Sequence, residues 1–334
     1  MNIDKMLDES SDKSWMHEFV WPMLSHELKS LEGIDVGGIQ TETELMVELK
    51  YDGHRGQAVI SDGDVKFYSR GAKDKTDRVP HLVGPLSKLP SGTVLDGEFV
   101  AFKDCAIFER DSYYIEIPPR KYTASIMGSK AERALYLQHE EYQVMITFVI
   151  FDVIAWGEED WTVRDQQARR QKLVKEVQHL DPYIKLSPLV DLDWEDEFRS
   201  LGAEGFMIKN PHERDRCGDR HWGWLKYKFE YDSDCVVTGF NPGQGKYHDT
   251  IGSIKFGQYK NGNLHDRGQC SGMTDEIRYS ILSSTEDNRS DFIGKVIKVS
   301  HKGVAGKNKF GLNHPQFVEF RDDKDPWECT WDEY

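Results

Sequence analysis

The sequence predicts an α+β fold in two domains, and three observations carry the prediction. Residues 45–229 interleave short strand-like runs with two helical stretches. Past Tyr231 the pattern changes to brief β-rich runs set apart by Gly and Asn, with a single helical stretch. At 334 residues the chain is long enough for two separate cores. The expectation is a first domain over 1–231, of antiparallel sheets with flanking helices, and a second over 232–334, built as a small β-barrel.

Taken in order, the segment "SWMHEFVWPMLSHELKSL" has an amphipathic helical pattern broken at Pro22. The run "ELMVELKY" reads as a strand, and "GQAVISDGDVKFYSR" as a hairpin turning at Asp62-Gly63. "GTVLDGEFVAF" and "VMITFVIFDVIAW" are apolar enough to be central strands, with "GSKAERALYLQHEE" helical between them. "TVRDQQARRQKLVKEVQHL" places Leu173, Val174, Val177 and Leu180 at helical spacing. Two more strands, "EGFMIKN" and "HWGWLKYKFE", complete the first domain. The second holds "DCVVTGF", "GSIKFGQY", "NLHDRGQC", "KVIKVSHK" and "HPQFVEFR", interrupted by the helical "TDEIRYSIL". Five strands and one helix in that space fit a barrel of the OB type, an architecture that often binds oligonucleotides.

Composition narrows the function. With 38% hydrophobic and 30% charged residues the chain is of the soluble globular class, and no apolar run approaches membrane-spanning length. The N-terminus "MNIDKMLDESSDKSW" lacks the basic-then-apolar order of a signal peptide, so a cytoplasmic protein with no membrane partner is expected. Five scattered cysteines without a C-x-x-C pair suggest reduced structural thiols, neither a disulfide framework nor a zinc site. A net charge of −15 argues against coating nucleic acid through the overall field. Locally the balance reverses: residues 292–318 contain no Asp or Glu but carry Lys295, Lys298, Lys302, Lys307 and Lys309. That strip is either a phosphate-gripping surface or a solvated loop face.

The chemistry is concentrated at strand ends. In "ELKYDGHRG", Lys50 follows an apolar run directly; Asp52-Gly53 is also a hairpin-turn signal, which would leave Lys50 an ordinary solvated side chain. Yet Glu98, Glu204, Lys226 and Lys228 stand in similar places, and charges are seldom set on core strands without partners. Brought together they would make a mixed lysine and carboxylate site suited to a polyphosphate and divalent cations.

Order and spacing decide between these readings. "KYDGHR" (50–55), "SRG" (69–71), "DGEF" (96–99), "FVIFD" (148–152), "EGFMIK" (204–209), "WLKYK" (224–228) and "RDDK" (321–324) together resemble the covalent nucleotidyltransferases, which include DNA ligases, RNA ligases and capping enzymes. The spelling of "EGFMIK", "KYK" and "HPQFVEFRDDK" is most similar to ATP-dependent DNA ligases, and the size to the small bacteriophage type. The resemblance implies a nucleotidyltransferase (adenylation) domain followed by an OB-fold domain. It implies that Lys50 is the nucleophile that takes AMP from ATP; an amine must be neutral to attack, which neighbouring cations favour.

The same resemblance implies roles for the other residues. Glu48 is similar to the adenine-reading position and Phe151 to the ring that stacks on the base. Arg55 and Arg70 resemble contacts to ribose or to the 5′-phosphate of a nick, Glu98 a ribose or metal contact, and Glu204 a metal-site carboxylate. Lys226 and Lys228 resemble the pair that neutralises the α-phosphate, while Arg321, Asp323 and Lys324 match a motif that orients the leaving pyrophosphate. The implied cofactors are ATP and Mg²⁺, with Mn²⁺ as a substitute, and the implied partner is nicked double-stranded DNA bound by a monomer. With no helical DNA-binding domain legible ahead of the core, the grip is expected from "PPRKYTASIMGSK" (118–130) and the lysine strip. An RNA ligase or a capping guanylyltransferase is the alternative within the superfamily, and a catalytically inactive nucleic-acid binding protein the alternative outside it.

Overall fold

In the computed structural model, which describes residues 14–31, 34, 45–177, 179–305 and 311–331, the chain divides into two units, Met1–Lys228 and Phe229–Tyr334. The fold is α+β, its sheets mainly antiparallel. In the first unit the strands are β1 (Leu24–Leu28), β2 (Met46–Leu49), β3 (His54–Ser61), β4 (Asp64–Ser69), β5 (Thr93–Ala101), β6 (Ala106–Arg110), β7 (Tyr113–Ile117), β8 (Ile146–Trp156), β9 (Glu159–Asp160), β10 (Ile184–Leu186), β11 (Gly205–Lys209) and β12 (Arg220–Lys228). They form a four-stranded sheet in the order β1-β12-β11-β2, a six-stranded sheet β10-β8-β5-β3-β4 with β9 on β8, and the ribbon β6-β7. Among the described residues of this unit, parallel pairing is confined to β1 with β12 and β10 with β8.

One face of the six-stranded sheet builds the main core. Its apolar residues pack on the helices Arg120–Gly128, Ala131–Tyr136 and Gln166–Val177 through Ile126, Met127, Ala134, Leu173 and Val177. Phe67, Phe99 and Phe148 meet there with centroids 5.2–5.6 Å apart. Each such ring contributes about 1.5–3 kcal/mol by leaving water. Val174, which the spacing places on the buried face of its helix, is exposed instead. The inward stripe runs Gln166, Arg169, Leu173, Val177; it includes two polar residues that hydrophobic spacing alone passes over.

The N-terminal segment departs from the expected helix. A short 3-10 turn over Ser14–His17 is followed, past Pro22, by β1, which pairs in parallel with β12. Proline ends the helical pattern, and the open edge of β12 takes the following residues as a strand, so tertiary pairing overrides local spacing. Residues 1–13 lie outside the described residues.

The second unit contains β13 (Tyr231–Pro242), β14 (Ile251–Lys260), β15 (Asn263–Cys270), β16 (Val296–His301), β17 (Val304–Ala305), β18 (Gly311–Leu312) and β19 (Gln316–Phe320). The sheet order is β15-β14-β13-β16-β19, with the helix Asp275–Ile281 between β15 and β16. Just past β15, Ser271 meets Gln316 of β19 in a single parallel bridge, and the Phe317 amide donates to the Ser271 carbonyl at 2.7 Å. This is an OB-type sheet curled until its edges touch at one point, not a barrel closed by a continuous ladder. Side chains such as Ile254, Phe256, Ile297 and Val299 fill its interior. No helix among the described residues is long and apolar enough to cross a membrane.

Candidate active site

The site begins as an alternation. Facing residues of paired strands share a side of the sheet, and successive residues of one strand take opposite sides. Across the four-stranded sheet the register aligns Glu48 with Met207, Lys226 and Glu27, and Met46 with Lys209 and Trp224. Beyond the end of β2 the Lys50 amide donates to the Gly205 carbonyl, and Gly205 faces Lys228. Glu48, Lys50, Lys209, Trp224, Lys226 and Lys228 therefore occupy one face. Val47, Leu49, Phe206, Ile208 and Leu225, all buried, take the other. The polar face meets β3, β5 and β8 of the six-stranded sheet, which contribute Arg55, Asp96, Glu98 and Phe151.

Lys50 sits at the centre of the charges. Its ammonium donates to Glu204 Oε2 at 2.6 Å, while Lys228 Nζ approaches Glu204 Oε1 at 3.0 Å. Burial opposes ionisation of Glu204, but the Lys50 and Lys228 ammoniums outweigh it and hold the carboxyl below its ordinary range. Lys226 lies 3.8 Å from Glu27; burial, helped by Lys228, Arg220 and Lys50 and opposed by Glu27, lowers its pKa. Glu98 behaves oppositely: burial pushes it up to about 8 against the pull of Lys50 and Arg55. Two glycines let these parts approach. A Cβ on Gly53 would lie 2.5 Å from both Glu98 Cγ and the Phe99 carbonyl oxygen. Gly205 has φ +145°, and a Cβ there would overlap the Tyr227 carbonyl.

A more deeply buried group of side chains adjoins this cluster. Lys209 Nζ donates to Glu48 Oε1 at 2.9 Å and to the Phe151 carbonyl at 3.1 Å, and lies 5.0 Å and 4.6 Å from the ring centroids of Phe151 and Trp224. Arg170 Nη1 stands 3.6 Å from the same Glu48 oxygen. Trp224 meets Phe151 edge to face at 6.0 Å, and its indole N–H donates to Gln166 Oε1 at 2.8 Å. Arg55 grips Asp96 with both arms of its fork, at 3.2 and 2.6 Å, while lying 5.5 Å from the Phe151 ring. Asp96 keeps the Arg55 guanidinium firmly charged despite burial. Behind the rings, fully buried Arg169 forks onto Asp152 at 2.8 and 3.0 Å and donates to Gln166 Oε1 at 2.7 Å.

The structure thus brings together Lys50, Glu48, Arg55, Glu98, Phe151, Glu204, Lys226 and Lys228. Arg70 is exposed at the end of β4 and lines a groove of about 510 Å³ with Trp21, Pro22, Asp219 and Arg220. Arg321 and Lys324, in the second unit, both hold Asp234, at 3.2 and 2.6 Å, and Arg321 also forks onto Asp323. In the 118–130 segment, Arg120 reaches Asp52 at 2.9 Å. Of the lysine strip, Lys298 pairs with Glu319 at 3.1 Å, whereas Lys307 and Lys309 lie outside the described residues. Lys209, Arg169, Arg170, Asp96 and Asp234 escaped the sequence reading. Lys209 and Asp96 stood inside quoted motifs, and a charge within an otherwise apolar strand was the available signal.

As a cation site, the cluster offers Glu204 and Glu98, the charge of the first adding to the burial that raises the pKa of the second. Among the described residues no group of three or more His, Cys, Asp or Glu could hold a metal. Two carboxylates without a third fit an ion that completes its shell from phosphate oxygens and water, as Mg²⁺ does.

The model of the ATP dependent DNA ligase domain matches residues 22–228. A DNA ligase of Saccharolobus islandicus is 26% identical over 92% of this chain and 57% of its own length; one from Saccharolobus solfataricus is 25% identical over the same shares. The chain therefore spans little more than half the length of these relatives. Among solved structures, the chain described as "Pmar-Lig_Pre." superposes with a TM-score of 0.62 at 22% identity, covering 91% of this chain and 68% of that one. A structure from a study of Lig E DNA ligases superposes with a TM-score of 0.55 at 18% identity, covering 89% and 99%. Both likenesses are of fold. Matched by the family model over more than half its length, this chain belongs to the ATP-dependent DNA ligase family.

Proposed function

We propose that the protein is an ATP-dependent DNA ligase that seals 5′-phosphate/3′-hydroxyl nicks in duplex DNA. The supporting observation is Lys50, held at a strand end against Glu204 with Lys228 on the same carboxylate and Lys226 on the same face. In the first step the neutral Lys50 amine attacks the α-phosphorus of ATP; the N–P bond forms, the α–β anhydride bond breaks and pyrophosphate leaves. Lys226 and Lys228 offset charge on the phosphates, Glu48 reads the adenine edge and Phe151 stacks on its ring. AMP then passes to the 5′-phosphate of the nick, and the 3′-hydroxyl finally displaces it.

Arg55 and Arg70 serve ribose or the nick phosphate, and Arg321 and Lys324 the leaving pyrophosphate. Glu98 and Glu204 would hold Mg²⁺, which supplies charge neutralisation at the phosphates when bound. The partner is nicked duplex, bound by a monomer with an affinity that falls as salt rises, and the compartment is the cytoplasm.

The test is sealing of an end-labelled nicked duplex with Mg²⁺ and ATP, NAD⁺ or no nucleotide. Sealing with ATP alone is expected. Transfer of label from GTP instead would favour the capping reading, and sealing only of RNA ends an RNA ligase.

A further inference from the structure

Lys209 is an expensive residue to place where it is. It is 1% exposed, and the rings of Phe151 and Trp224 that flank its ammonium, with centroids 5.0 and 4.6 Å away, show that its own surroundings accept apolar side chains. Its partner Glu48 is 2% exposed. A buried ion pair is seldom more stable than a well-packed apolar pair of the same size, so its retention points to a task of position.

The geometry supplies the task. One ammonium ties two walls together: β2 through Glu48 Oε1, and β8 through the carbonyl of Phe151, whose ring it also faces. Those are the two residues assigned to read and to stack the base. With Lys209 on Oε1 and Arg170 beside it, no hydrogen bond from the described residues reaches Glu48 Oε2. An ionised carboxylate only accepts hydrogen bonds, whereas a protonated one also donates. Adenine presents an N6 amino donor where guanine, in the same pose, presents the O6 acceptor.

We propose that Lys209 is a positioning residue for nucleobase selection: it holds Glu48 as an aimed, acceptor-only carboxylate in register with Phe151, and so favours adenine over guanine nucleotides. The inference rests on the nucleotidyl-transfer reading and extends it to a residue that contacts the base only through others. Removing the ammonium unties Glu48 Oε1 and lets the side chain turn. Glu48 then no longer turns away a guanine O6, and Phe151 loses its tether.

The experiment measures covalent labelling of the full chain by α-labelled ATP and GTP, as the ratio of their second-order rate constants, in wild type, Glu48→Gln, Lys209→Met and the double variant. The expected result is a fall of about tenfold or more in the ATP-to-GTP ratio for Lys209→Met, carried mainly by a weaker apparent KM for ATP, with the double variant no worse than either single one. If Lys209→Met does not fold, the double variant, which leaves neither member of the Lys209–Glu48 pair as an unpaired charge, decides by the same ratio. A wild-type ratio in the folded variant, or losses that add in the double, overturns the proposal while leaving the ligase reading intact. No labelling of wild type by either nucleotide overturns both.

Discussion

Two charged assemblies in the first unit use the same residue types for opposite ends. Around Lys50, the side chains of Lys50, Lys226, Lys228 and Glu204 are each 16–26% exposed. Around Arg169, both the guanidinium and Asp152 have no exposure at all, and every donor is directed at protein: Asp152, Gln166 and the carbonyls of Arg164 and Glu213. The open cluster has ammoniums and carboxylates that an incoming phosphate can re-pair. The sealed one has no access for a ligand and can only hold shape, here by backing the Trp224 and Phe151 rings. Charge content alone separates neither; accessibility of the partners does.

The comparison breaks most sharply at Lys50. Lys50→Arg should abolish labelling by ATP, a loss of at least about a thousandfold, because a guanidinium does not deprotonate to a nucleophile. Its urea midpoint should move little, since Glu204 keeps Lys228 and half-open pairs contribute about 0–1 kcal/mol. Arg169→Met should do the reverse. It strands Asp152 in the core at a cost of about 3–5 kcal/mol by urea denaturation, and Arg169→Met with Asp152→Leu should recover much of that loss. Stability unaffected by Arg169→Met would contradict the structural role.

A smaller effect sharpens the sealed side. Burial, aided by Asp152 and opposed by Arg169, pushes Asp215 up to about 6. The folded state therefore holds this proton at pH values where the unfolded chain, near 3.8, has released it. Its contribution to stability is full below about pH 4 and is lost as pH rises through 6, at about 1.4 kcal/mol per unit of separation. Asp215→Asn should remove that decline from a stability-against-pH series. A slope unchanged by the substitution would place the titration elsewhere. The smallest effect is expected for Trp224→Phe, which removes the indole donor from Gln166 at about 1 kcal/mol. It should weaken ATP labelling less than any change at Glu48.

Much of the site was legible because its logic is local. In "ELK" and "WLKYK", polar residues alternate with apolar ones, and a two-residue period puts them on one face. The sealed network was harder to read. Asp152 in the apolar run of β8 announced that a partner must exist, but that partner lies on a helix whose hydrophobic spacing classes an arginine as solvent-facing. The ribbon β6-β7 went unread for a related reason: its turn has no glycine, and Asp111 itself adopts φ +53°. β1 was missed because its strand state comes from the edge of β12, far along the chain. Asp234 carried no local sign that it would hold both Arg321 and Lys324.

The most direct test of the account is to incubate the purified chain with labelled ATP and a divalent cation, denature it, and map any retained AMP by peptide mass. The account predicts one acid-labile AMP per chain, on Lys50, absent from Lys50→Ala and lost when nicked DNA is added to the adduct. AMP on any other residue, or a wild-type chain already cleared of bound AMP that takes up none, would contradict it.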